Sequence, residues 1–175
     1  MPELPEVETV RRGLEGSLLA KRLIAVEVRR HDLREPIPKN FVEKTRGRSV
    51  VELGRRGKYL LLHLDDGTVI IGHLGMSGRM LVRDGKGPKG PHDHVRFVTS
   101  AKQEVVFCDP RRFGLMLLGS RDKLAQHPLF KDMGPEPLED GFSTEVLRKT
   151  LSGRRAPLKA LLLDQTVVAG LGNIY

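Results

Sequence analysis

From residue 23 onward the apolar residues of this chain fall into short runs, and that spacing limits the fold more than any other feature. Ile24, Val26 and Val28 alternate with Ala25, Glu27 and Arg29, a period of two that turns one face of a strand inward. Further apolar runs follow at 49–53, 58–64, 68–74, 94–98, 104–108 and 114–118. Turn residues separate them: Asp65-Asp66-Gly67, the loop from Asp84 to Pro91, and Ser100-Ala101-Lys102. Many short strands joined by tight turns predict a sandwich or a barrel. Before them, Leu4, Val7, Val10, Leu14 and Leu18 recur at helical spacing and predict a helix from about Pro5 to about Leu19. Acids lead that helix and Arg11, Arg12, Lys21 and Arg22 trail it, in the sense its dipole favours. The prolines and glycine between Lys131 and Pro137 read as a linker, and helices are expected near 143–151 and 157–166, the second opened by Pro157. The chain therefore divides as 1–131, 132–142 and 143–175.

The first residues carry a possible chemistry. Removing Met1 from Met1-Pro2-Glu3-Leu4-Pro5-Glu6 would leave a secondary amine beside a carboxylate. Such an amine can condense with a sugar aldehyde, the resulting iminium is an electron sink for elimination, and the acid can shuttle protons. While Met1 is attached, the Pro2 nitrogen is an amide and attacks nothing. Pro5 with Glu3, Glu6 and Glu8 also suits the first turn of a helix, and both readings fit these residues.

With 175 residues the chain can bury a core, and its net charge of +8 favours a polyanionic partner, whether DNA, RNA or an acidic membrane. The single cysteine, Cys108, excludes an internal disulfide and is expected as a buried strand residue. An acidic amino terminus unlike a secretory signal, and the lack of a bilayer-length apolar run, give the expectation of an intracellular protein.

Read further, the amino terminus is Pro2-Glu3-Leu4-Pro5-Glu6-Val7-Glu8-Thr9-Val10-Arg11-Arg12-Gly13. Beyond it come Arg55-Arg56-Gly57-Lys58-Tyr59-Leu60, His73-Leu74-Gly75-Met76-Ser77-Gly78, Asp109-Pro110-Arg111-Arg112-Phe113-Gly114, Gly134-Pro135-Glu136-Pro137-Leu138 and Gly170-Leu171-Gly172-Asn173-Ile174-Tyr175. In this order the segments resemble the formamidopyrimidine-DNA glycosylases, bacterial enzymes that excise oxidised purines and then cut the sugar-phosphate backbone. The resemblance spans the whole chain. It implies an α+β fold: an amino-terminal helix with a two-sheet antiparallel β-sandwich, then an incomplete helix-two-turns-helix segment. It also implies a cytoplasmic, nucleoid-associated monomer acting on damaged double-stranded DNA. The family continues into a zinc finger with four cysteines; with Cys108 alone, no such zinc site and no cofactor are expected in these residues. The related endonuclease for oxidised pyrimidines starts Pro-Glu-Gly-Pro, so Pro2-Glu3-Leu4-Pro5 favours purines.

The resemblance assigns roles residue by residue. Pro2 is the implied nucleophile on the anomeric carbon, Glu3 the implied general acid, and Lys58 the implied phosphate holder and assistant in elimination. Met76, Arg111 and Phe113 fall at the family's void-filling positions, where side chains replace a nucleotide taken out of the stack. His92, Arg154, Lys159 and Asn173 match DNA-contact positions, Asn173 as the cap of a following helix. Without the family match, Lys58 reads as a solvated charge and Met76 and Phe113 as core, although Gly75, Gly78 and Gly114 suggest loop tips. His92-Asp93-His94 lacks a third metal ligand, and His63, His73 and His94 read as structural.

Other readings compete. A non-catalytic DNA-binding fragment of the same family would also be basic, and a general single-strand binder is opposed by the scarcity of aromatics and absence of tryptophan. Leu158, Leu161, Leu162 and Leu163 give the expectation of self-association at the carboxy-terminal end.

Overall fold

The computed structural model describes residues 1–175. Helix α1 (Leu4–Leu18) buries Val7, Leu14 and Leu18 along one stripe, with Pro5 in its first turn and the Glu6 carboxylate accepting the Glu3 N–H at 2.9 Å. Eight strands follow: β1 (Leu23–Val28), β2 (Val50–Arg56), β3 (Tyr59–Leu64), β4 (Thr68–His73), β5 (Arg79–Arg83), β6 (Asp93–Thr99), β7 (Glu104–Cys108) and β8 (Leu115–Ser120). They form two antiparallel sheets of four, in the orders β1-β6-β7-β5 and β2-β3-β4-β8. Val26, Val95, Phe97 and Phe107 of the first sheet meet Leu60, Leu62, Ile70 and Met116 of the second in the main core, which α1 and Phe41 complete.

The second sheet is covered on its other face too. Leu61, Val69 and Ile71 pack with Phe130, so β3 and β4 are buried on both sides and read as unbroken apolar runs rather than alternations. A 3-10 turn (Arg121–Gln126) leads into that covering segment.

The sequence expectations hold for the sandwich and most of its strands, with several differences. Strand β5 falls outside the expected runs because it is an edge strand, half-exposed, with arginine at each end and no clean alternation. A single helical turn, α2 (Phe41–Thr45), lies outside the expected elements; fully buried Phe41 anchors it. Helix α3 (Thr144–Leu151) matches its expected span and is capped by the Ser143 hydroxyl, which accepts the Val146 N–H at 3.2 Å. Helix α4 (Leu158–Leu163) stops short of residue 166 because the Asp164 side chain accepts from the Thr166 N–H and hydroxyl, a local turn that competes with helix. Cys108 ends β7 half-buried rather than enclosed. No helix is long and apolar enough to cross a membrane.

Residues after α4 fold back onto the start of the chain. Gly170 O accepts the Leu4 N–H at 3.0 Å, and the Ala169 N–H donates to Pro135 O at 3.0 Å. Residues 133–137 are thus packed between the sheets and the carboxy-terminal residues, with Glu136 only 4% exposed, while Leu138–Gly141 stay exposed.

Candidate active site

The amino terminus opens into a cavity of about 360 Å³ lined by Met1, Glu3, Lys58, Met76, Leu163, Leu171, Gly172, Asn173 and Ile174. Pro2 is half-buried and stands in the chain between two of these lining residues, exposed Met1 and a Glu3 that is 1% exposed. Three separated motifs therefore converge on the residues just ahead of α1. A second cavity beside it, lined by Leu158, Lys159 and Tyr175 among others, shares Leu163, Leu171, Gly172 and Asn173 with the first.

Glu3 organises one wall. Its carboxylate accepts N–H groups from Gly172 at 2.7 Å, Ile174 at 2.7 Å and Tyr175 at 3.3 Å, while the Tyr175 hydroxyl donates to Glu6 at 3.0 Å. Successive backbone amides aimed at one point form an anion-binding concavity, and here the anion is a side chain of the same protein. Asn173, between these amides in sequence, is exposed on the cavity rim.

Lys58 enters from the β2-β3 turn. It is 5% exposed, and burial pushes its ammonium below the usual lysine range while Glu3 opposes the shift. The turn is fixed from behind by Glu136. Its carboxylate accepts the Gly57 N–H at 2.5 Å, Arg55 Nη1 at 2.7 Å and Arg56 Nη1 at 3.1 Å. Burial pushes the Glu136 acid up, but the Gly57 amide and the Arg55 guanidinium outweigh it and the net shift is downward. Gly57 sits at φ +56, the left-handed region, and a Cβ there would lie 2.9 Å from the Met133 sulfur. The segment Gly134-Pro135-Glu136-Pro137-Leu138 carries no local signal for this role of Glu136; its place against the half-buried Arg55 and Arg56 shows only in three dimensions.

Met76 and Phe113 are 44% and 46% exposed, each on a loop tip rather than in the core. The Arg111 guanidinium lies 4.7 Å above the Phe113 ring. Behind Met76, neutral His73 accepts the Gly75 N–H on Nδ1 at 3.0 Å, and burial pushes its pKa down to about 4. His92 is exposed, and its carbonyl accepts the Asp109 N–H at 3.0 Å at the start of the Arg111 loop. His94 is buried against the Asp109 carbonyl at 2.7 Å, so the two histidines do not face one another, and no three-residue metal cluster forms. Arg154 and Lys159 are exposed; Lys159 borders the second cavity, whereas Arg154 lies outside both, donating to Thr150 O and 3.8 Å from Asp164.

Comparison with known proteins places this geometry. The profile of the formamidopyrimidine-DNA glycosylase N-terminal domain matches residues 1–116, and that of the formamidopyrimidine-DNA glycosylase H2TH domain matches residues 133–175. The formamidopyrimidine-DNA glycosylase of Rhodospirillum rubrum is 55% identical over 177 residues, covering 100% of this chain and 63% of the relative. That of Methylocella silvestris is 50% identical over 186 residues, again with 100% of this chain and 64% of the relative. Among solved structures, a Lactococcus lactis Fpg bound to DNA with an abasic site superimposes with a TM-score of 0.90 at 35% identity, over 99% of this chain and 64% of that one. The wild-type L. lactis protein with N7-benzyl-Fapy-dG DNA gives a TM-score of 0.91 at 35% identity, again over 99% of this chain and 64% of that one. The chain belongs to the formamidopyrimidine-DNA glycosylase family and spans less than two thirds of the length of these relatives.

Proposed function

We propose that this chain carries the catalytic half of a base-excision repair glycosylase and AP lyase acting on oxidised purines, formamidopyrimidine and 8-oxoguanine, in double-stranded DNA. The observation that carries the reading is the convergence of the amino terminus, Glu3, Lys58 and Met76 on one cavity. Once Met1 is removed, the Pro2 nitrogen attacks C1′ of the damaged nucleotide, the N-glycosidic bond breaks, and its electron pair leaves with the base. The Glu3 carboxylate takes the proton that the Pro2 nitrogen loses after its attack and passes it to O4′ as that oxygen leaves C1′, and the freed nitrogen lone pair closes an iminium ion. That cation draws electrons as a proton leaves C2′ and the 3′-phosphate departs, and a second elimination releases the 5′-phosphate. Lys58, held close by the Gly57 turn and depressed by burial, faces those steps and holds a phosphate.

Met76, Arg111 and Phe113 occupy the void left by the extruded nucleotide, with Arg111 bonding the orphaned partner base. His92, Arg154, Lys159 and Asn173 contact the DNA backbone, which makes affinity fall with salt. In this reading the protein works as a monomer in the bacterial cytoplasm. The test is borohydride trapping on a duplex with one abasic site, using protein whose lack of Met1 is verified by intact mass. A covalent adduct supports the enzyme. Repeated failure with retained DNA binding would leave only a DNA-binding fragment.

A further inference from the structure

We infer that Ser77 and Asp109 are positioning residues that join the Met76 loop and the Arg111–Phe113 loop into one preformed wedge. The inference rests on the proposed void-filling role of those side chains and deepens it, because it says how two separate loops act together.

Asp109 is fully buried. One carboxylate oxygen accepts the Ser77 hydroxyl at 2.6 Å and the other accepts the Gly114 N–H at 2.8 Å, so a single side chain ties the residue after Met76 to the residue after Phe113. The Ser77 oxygen in turn accepts the Arg111 N–H at 3.2 Å. Asp109 cannot drift, since its own N–H donates to His92 O at 3.0 Å and its carbonyl lies 2.7 Å from His94 Nε2.

Close backbone approach seals the joint. A Cβ on Gly75 would overlap the Phe113 carbonyl, and one on Gly114 would lie 2.6 Å from His73 O. Arg112 holds φ +58, a left-handed conformation uncommon for its type, and the chain turns there between Arg111 and Phe113. These bonds fix the backbone on both sides of side chains that are themselves nearly half exposed. An apolar wedge built this way is ordered before it meets DNA, so insertion does not have to immobilise two loops.

Ser77→Ala removes both cross-loop bonds of the hydroxyl with little change in volume; Ser77→Thr keeps the hydroxyl. In the free chain, Ser77→Ala is expected to raise hydrogen exchange about tenfold at Arg111 and Gly114, on the opposite loop, the scale of one net hydrogen bond, with Thr restoring protection. Faster exchange confined to 75–78 would overturn the joint. In borohydride trapping, Ser77→Ala should react about tenfold more slowly with an oxidised-guanine duplex yet normally with an abasic duplex, which has no base to unstack. Equal losses on both duplexes, or none on either, would overturn the positioning role. Failure of the wild-type chain to trap the abasic duplex would refute the catalytic reading instead, and the exchange measurement would still decide the wedge.

Discussion

The Glu3 carboxylate lies 2.7 Å from the backbone nitrogen of Gly172, its partner 169 positions along the chain. This bond ties the residue beside Pro2 to the carboxy-terminal segment, and the glycine is required for it. A Cβ on Gly172 would come 2.5 Å from Glu3 Cδ. Gly172→Ala is therefore expected to push Glu3 out of its three-amide nest and lower stability by about 2 kcal/mol, the scale of a lost charge-assisted hydrogen bond. Urea unfolding with hydrogen exchange over 167–175 checks this; unchanged protection of Ile174 would contradict it.

Glu136 is expected to be costlier to remove. Glu136→Ala leaves the Gly57 amide without its acceptor and Arg55, itself 12% exposed, with only Glu8 as an acidic partner. Breaking one side of such a buried network costs about 3–5 kcal/mol. The midpoint of urea unfolding should fall with an unchanged slope. Glu136→Ala also predicts weaker trapping at Pro2, because Glu136 holds the turn that positions Lys58.

Acid should weaken the fold in two stages. Burial lowers His73 to about 4 from 6.5, so below about pH 6.5 the unfolded chain binds a proton that the native state refuses. Stability then falls as pH drops from about 6.5 to 4, by about 3 kcal/mol at most from this residue. His63 is shifted in the same direction by burial. Glu8, lowered to about 2 from 4.5 chiefly by Arg11, adds a second loss as pH falls from 4.5 towards 2. His73→Asn, which keeps an acceptor for Gly75, should flatten the upper stage. An unchanged slope in calorimetric or urea titrations between pH 6.5 and 4 would count against buried neutral His73.

Phe113 separates binding from folding. At 46% exposure it contributes little to the core, so Phe113→Ala should move stability by no more than about 0.5 kcal/mol. The same change should weaken binding to a damaged duplex, measured by fluorescence anisotropy. A large fall in thermal midpoint would instead mean that the ring is structural.

Much of this architecture is legible in the chain, for physical reasons that differ by element. Helix α1 and the alternating strand β1 declare themselves through periodicity, because each buries a single face. Strands β3 and β4 show as continuous apolar runs because Phe130 covers their second face. Edge strand β5 and the single turn at Phe41 do not, since an edge needs no apolar pattern and one helical turn has no period. The site residues near the amino terminus are recognisable by type. What links them is not: Glu136 with Gly57, Asp109 with Ser77, and Glu3 with Gly172 are pairs far apart in sequence, with no local signal for the partner.

The central claim is that the Pro2 nitrogen, between Met1 and Glu3 of the cavity that Lys58 also lines, becomes the nucleophile once Met1 is gone. The most direct measurement is peptide mapping of the borohydride-trapped adduct by mass spectrometry, on chains with and without Met1. The account predicts one sugar adduct, on the Pro2 nitrogen, formed only by the chain lacking Met1. An adduct on Lys58 with Pro2 unmodified, or equal trapping by both chains, would contradict it.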